Sequence, residues 1–282
     1  MIGQFWGTSA AEGIPAPFCS CKTCMEAREH PEYQRLRTCM RLTEKIMLDL
    51  GADAVVQSIK YGGIRDIEHV LITHTHEDHL NPHMMMEAFW CSDRQKTLNY
   101  YFTDKAFDIV EHWRQSKWIL KGAVPRFEQE GIVAFHKLEY GKRYEIDGIG
   151  VTPFRGNHAG NVGENTALYL LELPDGRTLF YGLDSGPYFP ETLQALRGRR
   201  IDIMVSECAF GTVQCNHKQH LDIWELKNLI DKLYAQGTLD ENSRLFITHI
   251  NHGTSYNEML KALGEMDLPI SATVCHDGIK IL

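Results

Sequence analysis

No apolar run in the sequence approaches the ~18–20 residues that span a bilayer. The longest, such as IDIMVSE and HVLIT, have the length of a strand. The opening MIGQFWGTSAAEG lacks the basic start and the apolar stretch of an export signal, which sets the expectation of a cytoplasmic protein. Internal repeats, low-complexity tracts and Gly/Ser-rich linkers are also missing. Positive charge is the scarcer sign: 29 Lys and Arg stand against 37 Asp and Glu, for a net charge of −8. That balance argues against a generally basic binder of nucleic acid or membrane surfaces. Apolar residues are not lacking, and 43% hydrophobic with 23% charged residues excludes a disordered or fibrous chain. Eight cysteines without an export signal suggest metal ligands or free thiols more than a disulfide framework. Histidine is abundant, with 14 residues, so the question becomes where they cluster.

The 282 residues suit one large domain or two small ones. Short apolar runs alternate with amphipathic stretches. Strands are expected at IGQFW, KIMLDL ending at Leu50, HVLIT ending at Thr73, LNYYFT, IVAFHKL, GVTPFRG, TALYLLEL, RTLFYG, IDIMVSE, RLFITH ending at His249, SATVC and GIKIL. Helices are expected over roughly 82–90, 104–114, 190–197, 222–236 and 255–265. The clearest begins at Asp222, which with Glu225 fits a capping box ahead of Leu226, Leu229, Ile230, Leu233 and Tyr234 at helical spacing. Strands both in succession and alternating with helices predict a layered α/β protein. Apart from the N-terminal loop and an elaboration near 100–130 nothing marks a boundary, so a single domain over 1–282 is expected.

Directly after HVLIT stands His74-Thr75-His76-Glu77-Asp78-His79, four metal-ligand types within six residues. Alternation puts His74 and His76 on one side of an extended segment, and the chain must turn to bring Asp78 and His79 round a neighbouring position. One loop can therefore serve two metals, since imidazole and carboxylate both suit Zn, Mn and Fe. His158, Asp184 and His249 also fall at the ends of expected strands, where α/β folds commonly build sites.

These segments resemble the metallo-β-lactamase-fold hydrolases, whose signature is HxHxDH. The likeness runs in order through IMLDLG at 46–51, HTHEDH at 74–79, GNH at 156–158, LDSG at 183–186 and THINH at 248–252. It implies a four-layer αββα fold and two divalent ions, Mn, Zn or Fe. His74, His76 and His158 would bind one, Asp78, His79 and His249 the other, and Asp184 would bridge them, with Asp49 supporting from behind. A finer likeness joins the cluster Cys19-Ser20-Cys21-Lys22-Thr23-Cys24 to the THxxH end and is similar to the PhnP-like phosphodiesterase group. It implies that Cys19, Cys21, Cys24 and His252 hold a structural zinc in an N-terminal loop at about 7–26. Cys39, Cys91, Cys208, Cys215 and Cys275 have no such spacing and read as ordinary thiols.

The function implied is hydrolysis of a small phosphodiester, cyclic ribose or nucleotide phosphates included, by a hydroxide between the metals, with Asp78 in the catalytic set. Two divalent ions less two aspartates and the hydroxide leave about one positive charge, which suits a monoanionic diester. His220, just ahead of Asp222, is the expected acid for the leaving alkoxide; His217 competes for that role. Two alternatives remain open: a tRNA-processing endonuclease of the same superfamily, and an iron protein of the kind exemplified by PqqB. The expected partner is a small anion rather than nucleic acid or a membrane, and a homodimer is left open. Trp113, Arg114, Lys117 and Trp118 could shape access or be the two sides of a helix, and Met84-Met85-Met86 should pack behind the metal loop.

Overall fold

The computed structural model describes residues 3–90, 96–116, 122–215 and 217–282. Two sheets carry the fold. In the first, β1 (Gln4–Gly7), β2 (Cys39–Arg41) and β3 (Ile46–Leu48) pair antiparallel, and β3, β4 (His69–Leu71), β5 (Leu98–Thr103) and β6 (Val133–Leu138) run parallel. In the second, β7 (Tyr144–Ile146), β8 (Ile149–Ala159), β9 (Asn165–Glu172) and β10 (Thr178–Gly182) form an antiparallel meander. Parallel strands β11 (Ile203–Glu207), β12 (Arg244–Thr248) and β13 (Ser271–Val274) extend it.

The strands read as nearly unbroken apolar runs because both of their faces are covered. Along β9, Ala167, Tyr169 and Leu171 enter the core between the sheets, while Leu168 and Leu170 face the opposite way. In β11 the same alternation sends Ile203 and Val205 inward and Met204 outward. After α1 (Lys22–Glu29), the helices α2 (Ala54–Tyr61), α3 (His83–Trp90), α4 (Asp104–Gln115) and α5 (Val124–Gln129) cover the first sheet over a core containing Tyr100, Phe102 and Phe127. Helices α6 (Pro190–Leu196), α7 (Ile223–Ala235) and α8 (Tyr256–Gly264) cover the second. The result is four layers, helix, sheet, sheet and helix. No helix among the described residues is long and apolar enough to cross a membrane.

Helix α7 starts at the expected cap: the Asp222 side chain accepts from the backbone N–H groups of Trp224 and Glu225, and Glu225 reaches back to the Asp222 N–H. Its apolar stripe is narrower than the sequence suggests, because Tyr234 is exposed. GIKIL is not a strand; it lies along β1 through the bridge from Lys280 to Gln4 and backbone hydrogen bonds of Gly278, Ile279 and Ile281 with Phe5 and Gly3. Helices α1, α2 and α5 were not expected, being short and, in α2, rich in exposed Val55, Val56 and Ile59. Trp113 and Arg114 lie on α4: Trp113 packs against the outer core and Arg114 pairs with Glu111 and Glu128 at 2.5 and 2.7 Å. Lys117, Trp118 and Cys91 lie outside the described residues. Met84 and Met85 are buried in α3.

Candidate active site

The site forms where strands of both sheets end. After β4 the chain enters a loop carrying His74, His76, Asp78 and His79, and backbone bonds dock this loop onto the segment after β3. Leu50 N–H donates to the His79 carbonyl at 2.8 Å and Ala52 N–H to the Glu77 carbonyl at 2.9 Å. Gly51 between them has no room for a side chain: a methyl there would sit 1.8 Å from the Asp78 carbonyl oxygen. His158 lies near the end of β8, Asp184 two residues beyond β10 and His249 one beyond β12. Asp49, Asp184 and His249 have φ of 61°, 43° and 54°. That left-handed conformation costs a residue other than glycine roughly 1–2 kcal/mol, and here it stops each strand as its side chain reaches the cleft. The strands expected to end at Leu50 and His249 therefore stop earlier, at Leu48 and Thr248.

Two groups of ligand atoms result. In the first, His76 Nδ1 lies 2.9 Å from His74 Nε2 and 3.3 Å from His158 Nε2. In the second, His79 Nε2 is 2.9 Å from Asp184 Oδ2 and 3.1 Å from Asp78 Oδ2, while His249 Nε2 is 2.8 Å from Asp184 Oδ1. Asp184 Oδ2 also lies 3.4 Å from His74 Nε2, so this carboxylate stands between the groups. Several of these atoms are buried without a hydrogen bond: His79 Nε2, Asp184 Oδ1, His158 Nδ1 and both nitrogens of His249. The close approach of His249 Nε2 to Asp184 Oδ1 lacks hydrogen-bond alignment, as two atoms converging on a shared partner would. Two nitrogen or oxygen ligands around a tetrahedral metal at ~2.0–2.1 Å lie roughly 3.3 Å apart, within the range seen here. The His and Asp groups thus fit divalent metals.

The electrostatics differ between the groups. Burial holds His74 well below the usual histidine pKa and His158 at about 4, which leaves neutral imidazoles with free lone pairs, as metal binding requires. Burial also opposes charge on His79 and His249, but Asp78, Asp184 and Asp49 overcome it for His79, and Asp184 with Asp78 raises His249 to about 10. The second group is therefore a concentration of carboxylates that calls for positive charge. Asp49 fixes its geometry by accepting from His79 Nδ1 at 2.8 Å and from the Thr73 N–H, also at 2.8 Å.

A cavity of about 290 Å³ opens on both groups, walled further by Ala10, Glu12, Phe210, His220 and Asn251. The His220 ring centre is 4.6 Å from that of His158. Its Nδ1 donates at 2.9 Å to Glu207, a fully buried residue that also accepts from the N–H groups of Ser185 and Ala209. Burial opposes charge on His220, and the Glu207 carboxylate more than reverses this, so its pKa lies above the usual value. Sequence reading missed Glu207; its position as the last residue of a strand, beside the other strand-end ligands, was the available signal. His217 is exposed and stacks on His220 at 5.5 Å without lining the cavity. Asp222 is occupied by its cap.

One residue beyond Asn251 of the cavity wall, His252 Nδ1 lies 3.3 Å from Cys19 Sγ and 3.5 Å from Cys21 Sγ, with Cys24 completing the cluster. Sulfur and nitrogen ligands of a tetrahedral zinc are roughly 3.6 Å apart, given bonds of ~2.3 and ~2.0–2.1 Å. Cys24 sits in the first turn of α1, so the segment expected to be a loop is in part helical.

A family model described as the beta-lactamase superfamily domain matches residues 45–250. The chain belongs to the metallo-β-lactamase superfamily. No curated protein matches it. Among solved metallo-β-lactamase-fold structures, it is similar to a diphosphatase of the PhnP family (20% identity, 99% of this chain and 96% of that one, TM-score 0.73). It is also similar to zinc-bound PqqB from Methylobacterium extorquens (17%, 98% and 98%, 0.72) and to human tRNase Z, short form (14%, 98% and 96%, 0.61). At these identities the likeness establishes the metallo-β-lactamase fold, and the superfamily consists mostly of metal-dependent hydrolases.

Proposed function

We propose that the chain is a metal-dependent phosphodiesterase acting on a small, singly charged diester such as a cyclic ribose or nucleotide phosphate. The observation that carries this reading is Asp184, whose carboxylate reaches both ligand groups, so that two cations would share it and face one cavity. In this reading His74, His76 and His158 hold one cation and Asp78, His79 and His249 the other. Cys19, Cys21, Cys24 and His252 hold a structural zinc. The cation pair, when bound, supplies polarisation of the phosphoryl oxygens and a water acidified toward pH ~7.

The remaining work falls to the chain. With its Nδ1–H held by Glu207, His220 presents Nε2 to the cavity and passes a proton to the leaving alkoxide. Glu207 is a positioning residue. No Lys or Arg is among the residues lining the cavity, so the substrate's charge would be met by the cations and the protonated His220. One negative charge and a small volume suit a simple diester better than a tRNA, whose binding relies on many phosphate contacts. The complete seven-residue set of His and Asp supports hydrolysis over an iron-based redox role.

Hydrolysis of cyclic nucleotides, cyclic ribose phosphates and a tRNA precursor by the metal-loaded protein tests this, with Asp184→Ala alongside. Turnover of a small diester, lost in the variant together with metal, is expected. Cleavage of the tRNA precursor alone, or full activity in Asp184→Ala, refutes the reading.

A further inference from the structure

A second cavity, of about 400 Å³, lies on the other side of the turn that contains Glu12, which lines both. Its charged walls are Arg35, Arg37, Lys60, Asp53, Asp277 and the exposed Glu12. Most of this charge is already matched. Arg37 pairs with Asp53 at 2.6 Å and donates from Nε to the Ala11 carbonyl at 2.6 Å. Asp277 accepts from Thr8 Oγ1 and from the Leu36 N–H, both at 2.8 Å, and Lys60 Nζ lies 4.0 Å from it.

Arg35 is the exception. It is only 5% exposed, and its backbone is fixed by reciprocal bonds with Ile14 at 2.8 and 2.9 Å. Among the described residues its guanidinium forms no hydrogen bond, and no carboxylate oxygen lies within 4.0 Å; its neighbour is the Tyr256 ring, 4.9 Å from the guanidinium carbon. Burial pulls its pKa down, offset by Asp277, Tyr256 and Cys275. A guanidinium carries five donors in a rigid fork. With no acceptor in the protein, those donors are left for a ligand in the cavity that Arg35 lines.

We propose that this cavity is a second ligand site, separate from the metal cleft, which takes a small oxyanion, carboxylate or phosphate, against the Arg35 guanidinium with Lys60 at its rim. The fork of Arg35 matches two oxygens of either group. The carboxylates do not close the site to anions: Asp53 is matched by Arg37, Asp277 has Lys60 beside it, and Glu12 is exposed at the turn.

Calorimetric titration of the metal-loaded full chain with malonate and with inorganic phosphate tests the site. The metal cleft also attracts oxyanions, so the titration is repeated on Arg35→Gln, Lys60→Gln and Asp184→Ala. A binding event that persists in Asp184→Ala, weakens about tenfold or more in Arg35→Gln and weakens several-fold in Lys60→Gln is expected. The tighter of the two probes identifies the class of oxyanion. Lys60 is half-exposed and its one ion pair, to Asp277, is long at 4.0 Å, so its variant keeps the test open if Arg35→Gln does not fold. Identical titrations of the wild type and Lys60→Gln, no binding of either probe, or loss of all binding in Asp184→Ala would overturn the proposal. Since the readout is binding and not turnover, its failure is separable from failure of the phosphodiesterase reading.

Discussion

Replacing Gly51 by alanine adds one methyl group and should damage a site whose own residues are untouched. The new carbon would lie 1.8 Å from the Asp78 carbonyl oxygen, 2.3 Å from its carbon and 3.0 Å from the His79 nitrogen. Ordinary contact begins near 3.4 Å, so the two segments must separate by about 1.6 Å. No side chain can yield, because all three atoms are backbone. The strain falls on the hydrogen bonds from Leu50 and Ala52 that dock the loop, and Asp78 and His79 move with it. A displacement of ~1 Å costs about 10²-fold in rate, so kcat/KM on an activated aryl diester should fall by at least that much. Overpacking adds about 1–3 kcal/mol of instability. Metal content by mass spectrometry should drop, and adding excess metal should restore activity only in part. Gly264→Ala is the control, since it meets nothing within 4 Å and its backbone is unstrained. If Gly51→Ala matches that control in metal content, activity and melting temperature, the docking argument is wrong.

Three further outcomes follow from the same structure. Glu207→Gln leaves one acceptor oxygen where four donors converge; turnover of diesters with alkoxide leaving groups should fall about 10²–10⁴-fold, and p-nitrophenyl diesters should suffer far less. Equal losses for both would remove His220 and Glu207 from proton transfer. His252→Ala should lower the bound metal from three equivalents to two and reduce the melting temperature, and retention of all three would refute the Cys₃His site. Glu164 Oε1 accepts from the N–H groups of Thr75 and Asn161 at 2.8 and 3.0 Å and from the Thr75 hydroxyl. Glu164→Ala should therefore weaken metal binding through loss of about 1–3 kcal/mol of loop anchoring, whereas Glu164→Gln stays near wild type; metal titrations that do not separate the two count against this anchoring role.

Much of the cleft was legible because its residues keep fixed spacings: His74, His76, Asp78 and His79 occupy one loop, and His158, Asp184 and His249 sit where apolar runs stop. The layers were legible from strands such as IDIMVSE and TALYLLEL, whose middles are continuously apolar because they are covered on both faces. Glu207 was not, since a single glutamate after a strand is common and its meaning comes from His220 thirteen residues away. Nor does composition reveal that Asp49, Asp184 and His249 take left-handed backbone, as only the docked loop and strand ends impose it. Helix α2 escaped notice because Val55, Val56 and Ile59 put apolar residues on its exposed face, which blurs the helical period. GIKIL misled in the opposite way, offering a strand-like composition where the chain pairs with β1 too briefly to form a strand.

The cluster of Cys19, Cys21 and Cys24 with His252 sets a timetable for the protein's synthesis. On a ribosome adding roughly 5–20 residues per second, the three thiols wait on the order of ten to fifty seconds for their imidazole. His249, only three residues earlier, completes the other centre at almost the same moment. A nascent chain thus displays thiols and histidines with no finished geometry to select among metals, and discrimination begins only once β12 and the loop after it have emerged. A fragment ending before residue 249 would leave both clusters incomplete.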